Sequence, residues 1–269
     1  HVFKPNGIAH VNAPFFSLRG GNILKNSVPY RGEGVNRYTE KRSANFKEGS
    51  LLALAILQEM RLSGMMGDRV RANITQWLLP APYANPGIFD VYFRRDGDTD
   101  PALSARAGEY SGKYLVSAIL LFRMQREPRL RSTIEYALFR LYDAQDEDGY
   151  LGVYPRQSRI VGSAPDGRPH ADIWNHYHNM VALYLWNKTT NSLQAMERLT
   201  RAANYICSYF GPGGHSLDEL ARPELDFAVM HIFALLYRAT NDEMYFDMWK
   251  RMSEAFTRLQ GEENFFYML

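Results

Sequence analysis

From residue 48 onward, apolar side chains return every three or four positions through 50–66, 69–79, 110–125, 129–144, 176–190, 193–210, 223–239 and 243–259. That period belongs to helices with one apolar face, so the pattern predicts eight of them. Residues 1–47 break the period: "NGIAHVNAPF" and "RGGNILKNSVPYRGEG" scatter Gly, Pro, Asn and charge, and predict an irregular wrapping segment ahead of a helical domain spanning 48–269.

The helices are expected in pairs. In "ILLFRMQREPRL", "LYLWNKTTNSLQ" and "ALLYRATNDEMY" an apolar helix ends near an aromatic, a short polar turn follows, and a more charged helix begins. Phe122, Trp186 and Tyr237 are expected in equivalent places, with "ILQEMRLSGMMGDRV" a weaker first copy. The repeats are too long and uneven for tetratricopeptide or ankyrin arrays. They fit helical hairpins joined by long loops, an all-α (α/α) toroid in which the more apolar helix of each pair lies inside. Four hairpins are visible where a closed (α/α)6 barrel needs six, so the segment is expected to be an incomplete barrel and part of a longer protein. Two loops, 80–109 and 146–175, exceed the ~12–15 residues common inside a compact domain, and loops of that length are usually functional. Both lead into the start of an inner helix, which places Glu109, the 174–178 cluster, Glu224 and Asp226 on one rim.

Composition narrows the chemistry. Thirty-one Lys and Arg against 29 Asp and Glu leave a net charge of +2 with no basic stripe, so no nucleic-acid partner is expected. "FRMQREPRLRS" is the densest basic run and reads as a solvated turn. The apolar runs "LLALAIL" and "YLVSAILLF" fall well short of the ~18–20 residues of a membrane span, so no membrane partner is expected either. One cysteine, Cys207, excludes an internal disulfide and a multi-thiolate zinc site within the segment, and its apolar setting reads as a small core residue. The sequons at Asn73 and Asn187 suit a secreted or periplasmic setting and leave the compartment open. "DAQDEDGYLG" fails as a calcium loop, because aligning Gly149 with the invariant glycine puts Ala144 and Pro155 where acids are needed; it reads as a helix end with an Asp-Gly turn.

The densest chemistry is "DIWNHYHNM" (172–180). His176 and His178 would share a metal on a strand, but on a helix they sit about 200° apart. Three readings stay open. One is a metal pair on extended backbone, another a helix start with Asp172 or Asn175 as N-cap and a core histidine. The third is a substrate pocket in which Trp174 offers a stacking face and one histidine faces the ligand, with His176 favoured. Glu109 has a helix N-terminus and Lys113 at i+4 as ordinary partners, and it also stands where an acid, base or sugar-hydroxyl acceptor would stand. "RPELDF" places Pro223 at a first helical position, and Glu224 or Asp226 would pair with Glu109 as the second carboxylate of a hydrolytic site.

"GEYSGKYL", "AQDEDGYLGVYP", "WNHYHNMVALYLW" and "LYRATNDEMYFD", in this order, resemble the N-terminal catalytic part of glycoside hydrolase family 127, the β-L-arabinofuranosidase-like proteins, over about 105–250. The resemblance implies an (α/α)6 toroid followed by β-sandwich domains and retaining hydrolysis of terminal sugars of plant-type polysaccharides. It also implies a pocket to which Glu109, Trp174, His176 and His178 contribute. Family members use a cysteine nucleophile and a zinc ion held by a glutamate and further cysteines, later in the domain. Cys207 precedes that region, so no cofactor is expected within the segment and zinc would come from residues beyond 269. The rivals are a polysaccharide lyase or sugar epimerase on the same fold, and a non-catalytic helical-repeat scaffold or carbohydrate-binding fragment.

Overall fold

The computed structural model describes residues 62–95 and 100–260. Among them the long helices are α1 (Gly64–Asn73), α2 (Ala107–Gln125), α3 (Pro128–Asp143), α4 (Asp172–Thr190), α5 (Leu193–Tyr209), α6 (Met230–Thr240) and α7 (Glu243–Gln260). No strand occurs among the described residues, whose only β feature is an isolated bridge between Ser163 and Pro169. The expected wrapping segment 1–47 and most of the expected helix 50–66 lie outside the described residues. Residues 64–66 of that helix belong instead to α1, which begins at the left-handed Gly64 (φ 59°) and continues as a π-turn over Ile74–Leu78.

Helices α2/α3, α4/α5 and α6/α7 form antiparallel hairpins with a shared turn. Each first helix ends at a residue in the left-handed conformation, Arg126, Asn191 or Asn241 (φ 52°, 57° and 58°). Their N–H groups bond back to the carbonyls of Phe122, Asn187 and Tyr237 at 2.7–2.8 Å. The next residue caps the second helix: Glu127, Ser192 and Asp242 accept from the backbone of Arg129, Ala195 and Met244. This register corrects one expectation. Phe122 and Tyr237 are equivalent, but the residue matching them in the middle repeat is Asn187, and Trp186 sits one place earlier, its ring 6.0 Å from Phe122.

The outer helices bury one stripe each, such as Leu130, Ile134, Leu138 and Leu141 of α3 and Leu199, Ala203 and Ile206 of α5. The inner helices α2 and α4 make the most extensive helix contact among the described residues. Glycine makes that approach feasible: a Cβ at Gly108 would lie 2.1 Å from the Asn175 carbonyl oxygen, and one at Gly112 would lie 2.3 Å from His178 backbone. Between them a buried polar triangle closes, with Asn179 donating to Tyr92 Oη (2.7 Å), Ser111 Oγ donating to Asn179 Oδ1 (2.8 Å) and Tyr92 and Ser111 sharing a third bond (2.8 Å).

The expected long loops are only partly loops. Residues 80–95 and 100–106 carry short helices at Ala81–Ala84, Gly87–Asp90 and Pro101–Ser104, and the expected helix 223–239 divides into Pro223–Asp226, a 3-10 turn Phe227–Val229, and α6. The 144–171 connection is fixed by ion pairs: Arg95 and Arg159 both bind Asp146, Arg159 also holds Asp148 at 3.2 Å, and Arg201 donates to the carbonyls of Asp146 and Glu147.

Candidate active-site cleft

The start of α4 carries the cluster read from the sequence, and helix geometry splits it into two faces. Asp172 and His176 are four residues apart and look into the protein, both fully buried. The Asp172 carboxylate accepts Tyr150 Oη–H (3.0 Å) and the Ile160 N–H (3.0 Å), which holds Ile160 at φ 62°, a strained value for a β-branched residue. His176 bonds through Nδ1 to the Asp172 carbonyl (2.9 Å), and its Nε2 accepts the Leu151 N–H (3.0 Å). Those two bonds make it a neutral Nδ1–H imidazole, in keeping with burial, which pulls its pKa below the ordinary histidine value despite the Asp172 carboxylate. The expectation that His176 faces the pocket is therefore corrected: Nε2 fixes "GYLG" to α4 and Nδ1 is taken up by the helix's own Asp172 carbonyl.

Trp174 and His178 lie on the other face. The Trp174 indole N–H donates to Glu109 Oε2 at 3.3 Å, and Lys113 Nζ holds Glu109 Oε1 at 2.6 Å, the i+4 pair expected from the sequence. Half-burial raises the Glu109 pKa, but Lys113 and the indole outweigh it and the net shift is downward, so Glu109 is a carboxylate at neutral pH. His178 meets the Trp174 ring edge-on at 4.3 Å, and burial with Lys113 nearby lowers its pKa to about 4.

Neither Asp172 nor Asn175 is the N-cap of α4, as the sequence had suggested; that position is Ala171, which provides no side-chain cap. Capping comes from neighbouring elements. Asp226 Oδ1 accepts the Trp174 N–H at 2.9 Å, and Asn175 Oδ1 accepts the N–H groups of Gly108 (3.1 Å) and Glu109 (3.3 Å) at the start of α2. The starts of α2 and α4 are thus each closed by a side chain from the element that follows around the arc, an arrangement that sequence spacing does not reveal. Asp226 is fully buried, and desolvation, reinforced by Asp172 and Glu224, pushes its pKa well above the carboxylate range. Glu224 ion-pairs with Arg222 and its side chain is 2% exposed.

Beside these helix starts lies a cleft of about 660 Å³. Glu109 and Trp174 line it, together with Arg106, Tyr154, Arg168, His170 and Arg222, none of which the sequence singled out. Their signal was present only as position, since Arg106 precedes an inner helix and Tyr154, Arg168 and His170 sit in a long loop. His176, His178, Glu224 and Asp226 are not in its lining. The proposed second carboxylate therefore does not face Glu109 across the cleft: Asp226 is spent on capping α4, and the wall there is formed by Arg222 and Leu225.

Over residues 62–262 the sequence matches the family described as beta-L-arabinofuranosidase, GH127 catalytic domain. The chain belongs to that family. Solved structures agree on the fold. A GH127 β-arabinofuranosidase superposes with a TM-score of 0.54 at 16% identity, covering 73% of this chain and 32% of that one. A GH127 β-L-arabinofuranosidase from Geobacillus stearothermophilus T6 gives 0.52 at 18% identity, covering 69% and 30%. The described hairpins are thus an arc of an (α/α) toroid, and the chain spans about a third of the length of these structures. No curated protein matches the chain in sequence.

The described residues do not fit the zinc and thiolate chemistry that the family resemblance implies. They contain no group of three or more His, Cys, Asp or Glu arranged to hold a metal. Cys207 is buried on the outer helix α5, where desolvation pushes its thiol up to about 12. Among the described residues no helix is long and apolar enough to cross a membrane.

Proposed function

We propose that this chain is the part of a GH127 glycoside hydrolase that binds the terminal sugar, in a protein whose activity is of the β-L-arabinofuranosidase kind. The observation that carries the reading is the cleft at the inner-helix starts, where the Trp174 indole and the Glu109 carboxylate are locked to each other and both line the space. A flat aromatic face beside a fixed acceptor suits a sugar ring with its hydroxyls. Glu109 acts as a hydroxyl acceptor and orienting group. A general acid needs a raised pKa, and Lys113 keeps this one low. The nucleophile and any zinc ligands lie outside the described residues in this reading, since Cys207 is a buried neutral thiol. Family membership favours hydrolysis over the lyase and epimerase alternatives, and the cleft around Glu109 and Trp174 argues against an inert scaffold.

The test is a titration of the 269-residue chain with methyl glycosides, followed by nuclear magnetic resonance. Saturable shifts of the backbone signals around the cleft are expected, lost in a Trp174→Ala chain that still folds, and weakened in Glu109→Gln with an unchanged melting temperature. Sugar binding indifferent to both substitutions would overturn the proposal.

A further inference from the structure

The polar groups around the cleft differ in how far they are committed within the protein. Glu109 gives its two oxygens to Lys113 and Trp174, Asp166 and Arg168 hold each other, Arg222 reaches the buried Glu224, and Arg106 stands exposed. Tyr154 differs from all of them. It lines the cleft although only 2% of it is exposed, and its hydroxyl has no hydrogen-bond partner among the described residues. Nor is that hydroxyl shut away, as the unpartnered Nδ1 of the adjoining His170 is. The rest of the residue is fixed from three sides. Its N–H donates to Tyr150 Oη (3.0 Å), which in turn donates to Asp172, and its carbonyl accepts from Arg159 Nε (3.4 Å). Its ring stacks on the His170 ring at 4.4 Å and 23°, and the Ser158 carbonyl pins that imidazole through Nε2 (2.5 Å). The phenol therefore reaches the cleft wall on a rigid mount, with its donor and its acceptor capacity both unused. A group already held in place loses little freedom when it binds, so it discriminates well.

We infer that Tyr154 is a specificity-determining contact for the sugar, its hydroxyl pairing with one hydroxyl of a neutral terminal residue that rests beside Trp174. This rests on the sugar-binding reading of the same cleft and adds the group that tells one sugar from another. A site that hydrogen-bonds a substrate hydroxyl rejects an analogue lacking it, because the site's own polar group is then left unpaired; an aromatic face alone discriminates far less. A neutral phenol asks for no charge on the ligand, in line with a cleft where Glu109, Asp166, Arg168 and Arg222 already have counter-ions.

The experiment titrates the 269-residue chain and its Tyr154→Phe variant with methyl β-L-arabinofuranoside and with the 2-, 3- and 5-deoxy analogues of that sugar. The substitution removes one oxygen that makes no bond to the described residues, so the thermal midpoint should hold. The full sugar is expected to bind Tyr154→Phe about five- to tenfold more weakly, the scale of one neutral hydrogen bond. One deoxy analogue should lose a similar factor on the unsubstituted chain and lose nothing further on Tyr154→Phe, the non-additivity of two groups in contact. The other two should be weakened by the substitution as much as the full sugar is. Equal affinity of both chains for the full sugar, or the same loss with all three deoxy analogues, overturns this inference and leaves the sugar-binding reading standing while Trp174→Ala still abolishes binding. A folded chain that binds neither this sugar nor any other methyl glycoside overturns both.

Discussion

Two faces of a single helix start have opposite characters. Asp172 and His176, on one side of α4, have every strong hydrogen-bonding group directed inward, to Tyr150, Ile160, Leu151 and their own backbone. Trp174, two residues from each, lines the cleft beside Glu109, which Lys113 holds. The inward face is architecture and the outward face is available for chemistry. The alternation follows from about 100° of rotation per residue, which sends positions two apart to opposite sides. It teaches that clustered histidines and acids in a sequence need not be one site. Here the inward pair holds the loop that walls the cleft, and of the other two only Trp174 lines it, His178 being buried against α2.

The strongest way to break this division is to remove the inward anchor. Asp172→Ala strips the acceptor from the Tyr150 hydroxyl and the Ile160 N–H, both buried, and should cost on the order of 3–4 kcal/mol in urea unfolding. Trp174→Ala removes a ring that is only partly buried, and should cost less and act on ligand binding. If the two came out reversed, the assignment of faces would be wrong.

Acid probes the outward face. The pKa of His178 is lowered to about 4 in the folded protein against 6.5 unfolded, so the unfolded chain takes up more protons between those values. Its contribution is complete above pH 6.5 and is lost as the pH falls toward 4, a loss of roughly 3 kcal/mol from this group. His178→Gln should flatten stability over that window, and an unchanged slope would remove His178 as the cause.

Asp226 tests the interlocking caps. Its raised pKa means that the folded state favours the protonated form, so the group detracts from stability as pH rises above the unfolded carboxylate value. Asp226→Asn keeps an oxygen for the Trp174 N–H without the charge, and should match or exceed the parent at pH 7. Asp226→Ala loses the cap and should fall about 1 kcal/mol below the Asn variant. Equal stability of the two variants would show that the Trp174 bond carries no weight.

The smallest effect belongs to the hairpin turns. Arg126 occupies the left-handed position that Asn fills at 191 and 241, and Arg126→Gly should raise the thermal midpoint by the equivalent of about 0.5–1 kcal/mol. The same change at Asn191 should gain less, because Asn tolerates that conformation.

Much of the fold was legible in the chain because it is local. Helical periodicity located six of the long helices to within a few residues at most ends. The repeated turn from apolar helix to capped helix identified the hairpins, and four ordered motifs pointed to the family later matched over 62–262. The Glu109–Lys113 pair followed from i+4 spacing, and Pro223 at a first helical position from its missing N–H. Periodicity could not say which face of α4 meets the cleft, because Asp172–His176 and Trp174–His178 are equally good i+4 pairs. Only packing decided between them: the glycines of α2 let α4 approach on the His178 side, and the 144–171 connection covers the other. Nor could the chain show that Asn175 and Asp226 cap helices other than their own, or that Arg106, Arg168 and Arg222 meet at one cleft. Those are encounters between residues tens of positions apart, fixed by tertiary contact rather than by any rule of neighbouring positions.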